Sequence, residues 1–265
     1  MKVVESFYES SEYKRLNPTW HVEDSPWKSD KIMKIIARND LQPKSICEIG
    51  CGAGELLRQL LLKMNDDVSF VGYEISPDAF ELCLTRKSDR LIFKLENLLE
   101  SPPPPCRPET AIQGSKKLMH TPGEGFGCSS SFPVQYYDIV MAIDVIEHVE
   151  DVFGFLRKLK SYGVYKIFHI PLDISVQTIA RLTPLEVKRK IVGHLHYFTK
   201  NTALGTLSHC GYEIIDWFYT AGELELPNRT FKSHLLRLPR KIGYSFARDV
   251  TVRLFGGYSL LVLAK

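Results

Sequence analysis

Charge of one sign is scarce in this chain: 34 Lys and Arg against 31 Asp and Glu leave a formal charge of +3 over 265 residues. An excess that small does not by itself imply nucleic acid as partner. No apolar run approaches the roughly 20 residues that a membrane span needs. The opening MKVVESFYESSEYKR is charged throughout and has no apolar core of the secretory-leader kind. The six cysteines, at 47, 51, 83, 106, 128 and 210, form no CxxC pair and have no metal-ligand spacing. They are expected to be reduced thiols in a cytoplasmic protein, with no metal site. Internal repeats and clean boundaries are also missing, so a single domain over residues 1–265 is expected. The 44% apolar and 25% charged shares are those of an ordinary globular protein.

What is present is an alternation of strand and helix signals. KIMKIIAR places Ile32, Ile35 and Ile36 on one helical face within an N-terminal segment, residues 1–44. SICEIG is a strand and ELLRQLLLKM the helix after it. DVSFVGYEIS is a second strand ending at Glu74, PDAFELCLTRK a helix with Pro77 in its first turn, and RLIFKLENLL a third strand with its exit. This order predicts parallel βαβ units in an α/β sheet. Residues 101–133 break the rhythm with seven prolines and runs of Gly and Ser, and are expected to be a flexible insert. The core resumes over 134–265. QYYDIVMAIDVIEHVED is a strand and its exit, YKIFHIPL a fifth strand, and GYEIIDWFY and GGYSLLVLAK are late strands.

The first strand runs into Gly50-x-Gly52-x-Gly54 and then a helix, a turn that commonly holds a nucleotide-like ligand. A dinucleotide fingerprint would be GxGxxG, and a pyrophosphate would be repelled by Glu48, two residues before the first glycine. Glu74 ends the second strand twenty residues after Gly54, where an acidic side chain accepts hydrogen bonds from ribose hydroxyls. A ligand with a ribose and a positive charge is therefore expected. S-adenosylmethionine has both.

With these residues in view the sequence resembles the class I S-adenosylmethionine-dependent methyltransferases, in their small-molecule, quinone-biosynthesis-type branch. EIGCGAG resembles the family's first motif, YEIS its acidic ribose motif, LENLL its third and YDIVMAIDVIEHVED its fourth. HLHYFTKNTALGTLSHCGYEII resembles a C-terminal element of that branch. The resemblance implies a Rossmann-like, doubly wound sheet of seven strands, mostly parallel with an antiparallel last strand. It implies that Glu48 and the turn residues Gly50, Cys51, Gly52 and Gly54 hold the methionine part of the cofactor. Glu74 would hold the ribose, Ile75 would lie against the adenine, and Asn97 and Leu98 would stand at the adenine edge. Asp144 would border the methionine portion.

Methyl transfer to a hydroxyl needs alignment and removal of a proton. Asp144 and His148 are four apart, on one face if the segment is helical. His148 is the leading general base, because neutral imidazole suits proton removal near pH 7. His194 and His196 alternate, so they point to opposite sides if extended. His196 is favoured as the one facing the pocket and is the rival catalytic base to His148, and a zinc site from this pair is not expected. Trp20, His21 and Trp27 in NPTWHVEDSPWK are candidates for a lid over the site.

Transfer of a methyl group to a small molecule, with a hydroxyl oxygen as acceptor, is therefore the expected activity. The alternatives are an S-adenosylmethionine-binding scaffold without catalysis and an NAD-dependent oxidoreductase. A nucleic-acid substrate is not expected, because no NPPY- or DPPY-type turn follows the fourth strand. The alternating apolar and basic residues of FKSHLLRLPRKIGYSFARDVTVR suit peripheral contact with a membrane surface.

Overall fold

The structure, a computed structural model, describes residues 12–102, 136–181, 183–226 and 231–265. The expected insert at 101–133 falls almost wholly outside them. Seven strands form one sheet in the order β3-β2-β1-β4-β5-β7-β6. They are β1 (Ser45–Ile49), β2 (Ser69–Glu74), β3 (Leu91–Leu95), β4 (Tyr137–Ile143), β5 (Gly163–Pro171), β6 (Ile214–Thr220) and β7 (Ser259–Ala264). The first five pair in parallel, and β7 enters antiparallel between β5 and β6. β1 and β4 are central and buried almost end to end, as strands covered on both faces are, with Glu48 and Asp138 as the charged side chains within them. The late strands β6 and β7 are neighbours, yet two helices over residues 231–255 lie between them in sequence, so they are no tight hairpin.

Helices cover both faces. On one side α1 (Ser25–Arg38), α2 (Glu55–Lys63) and α3 (Pro77–Leu84) bury Ile32, Ile35, Ile36, Leu57 and Leu60 against the sheet. Each such side chain contributes roughly 1.5–3 kcal/mol by leaving water. On the other side α4 (Val152–Leu159) packs Val152, Leu156 and Leu159 into the second core. Helices α5 (Val176–Arg181) and α6 (Thr183–Ile191) follow β5. Next, α7 (Lys200–His209) buries Ala203 and Leu207 in that same core. Helices α8 (Phe231–Phe246) and α9 (Arg248–Phe255) precede β7.

Parallel strands carry their turns to one edge, so the exits of β1, β2, β4 and β5 converge there. An open sheet binds ligands at this carboxyl edge, where the strand order reverses between β1 and β4.

Candidate active site

The turn after β1 is built by its glycines. Gly50, Gly52 and Gly54 all have positive φ, at 65°, 54° and 75°. They serve different ends. A Cβ on Gly54 would stand 2.5 Å from Phe93 Cε1, so this glycine lets α2 pack on β3. A Cβ on Gly52 would meet only Trp20, at 3.8 Å, and would occupy the open space above the turn. Glu74 fixes the turn from the neighbouring strand: one carboxylate oxygen accepts the Gly52 N–H at 2.7 Å, and the other accepts those of Ile75 and Ser76 at 2.8 Å.

A cavity of about 940 Å³ opens over this edge, large enough for a cofactor and a small acceptor together. Its wall includes Glu48, Gly50, Cys51, Gly52, Glu74, Ile75, Asn97, Asp144 and His148, and also Trp20, His21 and Trp27 from the N-terminal segment. Asn97 caps the turn that follows it, accepting the Leu99 N–H at 3.2 Å. Three predicted residues lie outside this wall. Gly54 is a packing position, as above, and Leu98 is 1% exposed and buried in the core. His196 is the third: its Nε2 is 2.8 Å from the Val149 carbonyl, which fastens two loops together. His194, not the favoured His196, is the histidine on the cavity wall.

The segment after β4 is a tight turn, not a helix. Asp144 has φ 55°, and the His148 N–H bonds the Val145 carbonyl at 2.9 Å. Asp144 and His148 reach the cavity through this turn rather than along one helical face. Both oxygens of Asp144 are engaged by the chain: Oδ1 is 2.6 Å from His169 Nδ1, and Oδ2 is 2.7 Å from Lys28 Nζ. His169 Nε2 meets Thr220 Oγ1 at 2.8 Å, so the network runs from α1 through β4 and β5 to β6. Burial works to raise the Asp144 carboxyl, yet His169 and Lys28 hold it well below the usual range. Burial works to lower the Lys28 ammonium, and Asp144 outweighs it, so its pKa is raised.

The other carboxyls here move up. Burial pushes Glu48 well above the ordinary value, and one of its oxygens, Oε2, has no partner among the described residues. Burial raises Glu74 against the pull of its three backbone N–H groups. Burial, with Asp144 nearby, pushes Glu147 well up, and neither of its oxygens has a hydrogen-bond partner among the described residues. Burial, with His194 beside it, lowers His148 to about 4. The cavity wall carries more carboxyl groups than lysines and arginines, a balance that suits a cationic ligand.

Sequence reasoning passed over Lys28, His169 and Asp173, and set His194 aside in favour of His196. Two signals were available: a histidine inside the apolar strand KIFHIPL, and a lysine on the otherwise core-facing start of α1. The expectation of no metal site also meets a contrary arrangement. Glu147, His148 and His194 each offer a ligand atom, and these atoms lie within 4.8 Å of one another.

The family model described as a methyltransferase domain matches residues 21–216. The chain belongs to this methyltransferase family. Its methyl donor is S-adenosylmethionine, and the chain is a class I, S-adenosylmethionine-dependent enzyme. No curated protein matches the chain by sequence. Among solved structures it is similar to the magnesium protoporphyrin IX methyltransferase of Synechocystis PCC 6803 with bound S-adenosylhomocysteine. That match has a TM-score of 0.58 and 13% identity over 99% of this chain and 97% of the other. The plantazolicin methyltransferase BpumL, in complex with a monoazolic desmethyl-plantazolicin analogue and S-adenosylhomocysteine, matches with TM-score 0.57 and 13% identity over 99% and 93% of the chains. An S-adenosylmethionine-dependent methyltransferase of Archaeoglobus fulgidus matches with TM-score 0.51 and 17% identity, over 89% of this chain and 94% of the other. At these identities the likeness concerns the fold. The cofactor fits the methyltransferase's own residues on separate grounds: an unpartnered Glu48 oxygen, open space above Gly52, and a lining rich in carboxyls.

Proposed function

We propose that this methyltransferase transfers a methyl group to a hydroxyl oxygen of a small molecule. The carrying observation is the convergence, in one cavity, of the Gly52 turn, Glu74 and the acid-and-histidine cluster after β4. Bound S-adenosylmethionine supplies an electrophilic methyl group on a sulfonium. Glu74, already oriented by three backbone N–H groups, accepts the ribose hydroxyls on its remaining lone pairs. Glu48 and the Gly50–Gly52 backbone take the aminopropyl end, Ile75 lies along the adenine, and Asn97 meets its edge. Asp144 acts at one remove: it holds Lys28 and His169 and so fixes the floor under the methionine part. Trp20, His21 and Trp27 close the cavity above and exclude water. The hydroxyl proton leaves toward the Glu147, His148 and His194 cluster, which faces the acceptor space.

A second surface concerns partners. Large apolar residues of α8 and α9 stand in water beside exposed lysines and arginines, which supports peripheral contact with an anionic membrane. No helix among the described residues is long and apolar enough to cross a membrane.

Calorimetric titration of the pure protein with S-adenosylhomocysteine tests the cofactor assignment, with saturable binding at one site per chain expected. Absence of binding would overturn it. A screen with methyl-labelled donor and hydroxyl-bearing metabolites tests the acceptor: label found only on nitrogen or carbon would overturn the hydroxyl assignment.

A further inference from the structure

Glu147 is 1% exposed, and neither carboxylate oxygen has a hydrogen-bond partner among the described residues. A buried carboxylate in that condition is costly, and native chains keep one where something else satisfies it. Two histidines stand beside it. His148 Nε2 is 3.8 Å from Glu147 Oε1, and the His148 and His194 rings meet edge to face with centroids 4.9 Å apart. His194 Nδ1 is 2.6 Å from Asp173 Oδ2, which leaves Nε2 as its outward nitrogen. Asp173 is itself buried and held by Lys188. All four residues line the cavity.

We propose that Glu147, His148 and His194 form a binding site for a divalent transition cation of the zinc class, with Asp173 orienting His194 from behind. Two imidazoles and one carboxylate are the ligand set of open, catalytic zinc sites, in which a fourth position stays available. Magnesium and calcium prefer all-oxygen sets, and two histidines argue against them. The bond from Asp173 to His194 Nδ1 is the second carboxylate that metal-bound histidines use to fix tautomer and ring direction. Ligand atoms around zinc, at bonds of about 2.0–2.2 Å, stand roughly 3.3 Å apart. The present spread, within 4.8 Å, exceeds that spacing by ~1.5 Å at most, which binding of the cation would have to draw in. The cation would also give the Glu147 carboxylate the partner it lacks.

The consequence for chemistry rests on the methyl-transfer reading above. With the cation held, these three side chains would serve as ligands instead of as the proton acceptor, and an acceptor hydroxyl at the open position would lose its proton to water at a lower pH than when free.

The site is tested on the full chain, free of any tag, by equilibrium dialysis of zinc against a competing chelator. Cobalt substitution reports the ligand type, and S-adenosylhomocysteine is titrated in parallel. One zinc per chain is expected, weakened at least tenfold in Glu147→Gln and in His194→Gln, and 10–100-fold in Asp173→Asn. Cobalt should show a nitrogen and oxygen ligand field with no thiolate charge-transfer band. Cys51 and Cys83, whose sulfurs are 4.0 Å apart, are the competing site, and Cys83→Ser should leave zinc affinity unchanged. Native zinc affinity in both Glu147→Gln and His194→Gln, or loss of zinc in Cys83→Ser, would overturn the proposal. So would a native chain that binds S-adenosylhomocysteine but no cation, and the methyl-transfer reading would then stand. Zinc binding without S-adenosylhomocysteine binding would sink that reading and leave the metal site intact.

Discussion

Glu74 Oε2 lies 2.7 Å from the Gly52 nitrogen, so the carboxylate that ends β2 holds the glycine turn that follows β1. One side chain thus shapes the turn and presents its remaining lone pairs to the cavity. Glu74→Ala is expected to weaken S-adenosylhomocysteine binding by about 1–3 kcal/mol, the range for charge-assisted hydrogen bonds. Calorimetry checks it, and unchanged affinity would remove Glu74 from the site.

The glycines of the same turn should separate packing from binding. Gly54→Ala places a methyl group 2.5 Å from Phe93 Cε1 at a φ of 75°, and should cost roughly 2–4 kcal/mol of stability. Gly52→Ala has room on the protein side, with Trp20 at 3.8 Å, and should cost only about 1 kcal/mol of backbone strain. Its main effect should be on cofactor affinity. Urea denaturation and calorimetry on both variants test the contrast, and equal stability losses would contradict it.

Lys28 ties the N-terminal helix to the exit of β4 through Asp144. Breaking that pair leaves Asp144 with His169 alone, so Lys28→Met should destabilise by about 1–3 kcal/mol, below the full cost of an isolated buried charge. A double-mutant cycle with Asp144→Asn should give a coupling energy of 1 kcal/mol or more. Additive losses would mean the contact contributes nothing.

The order of strands, the glycine turn and Glu74 were legible because local rules fix them. Period-two and continuous apolar runs mark strands, and alternating glycines at a strand exit mark a turn of positive φ. His169 and His194 were not legible, since their roles arise from pairing across the sheet and across a loop. The register that sets His169 beside Ile143, one residue before Asp144, is a tertiary fact. The preference for His196 failed for a related reason. Alternation tells that two neighbours face opposite ways, but which one faces the cavity depends on how the strap lies on the Glu147 turn, held there by the Glu147 carbonyl. Gly54 shows a third limit: its spacing fits a ligand turn, while its contacts with Phe93 give it a packing task.

Acid should loosen the start of α2. Arg58 first of all, with Gln59 and Arg86, pulls the Glu55 carboxyl down to about 2. A carboxyl lowered on folding adds stability that is complete above its unfolded value near 4.5 and lost as pH falls toward 2. Because Arg58 is part-exposed and the pair is screened, the contribution is about 1 kcal/mol. Denaturation between pH 5 and roughly pH 2.5 should show a smaller loss in Glu55→Gln than in the native chain. Identical slopes would assign the acid sensitivity to other carboxyls.

The exposed apolar residues of α8 and α9 should behave as a membrane contact. Leu238, Ile242 and Phe246 on α8 are spaced by four and share one side of the helix, and Val250 and Leu254 on α9 are exposed as well. Phe246 is 87% exposed, an arrangement that water disfavours and an acyl boundary would reward. Lys241, Arg248 and Arg253 lie exposed beside the stripe, and each basic residue near an anionic leaflet adds about 1 kcal/mol. The chain should therefore sediment with vesicles containing phosphatidylglycerol, less so as salt rises, and weakly with vesicles of phosphatidylcholine alone. Phe246→Asp removes the most exposed ring and should lower vesicle affinity about 10-fold or more, matching the 1.5–3 kcal/mol of a buried Phe. Its melting temperature should stay native, since the side chain it replaces supports no core contact. Equal sedimentation of Phe246→Asp and the native chain would show that the stripe does not touch lipid, and equal binding to both vesicle types would remove the basic residues from the account.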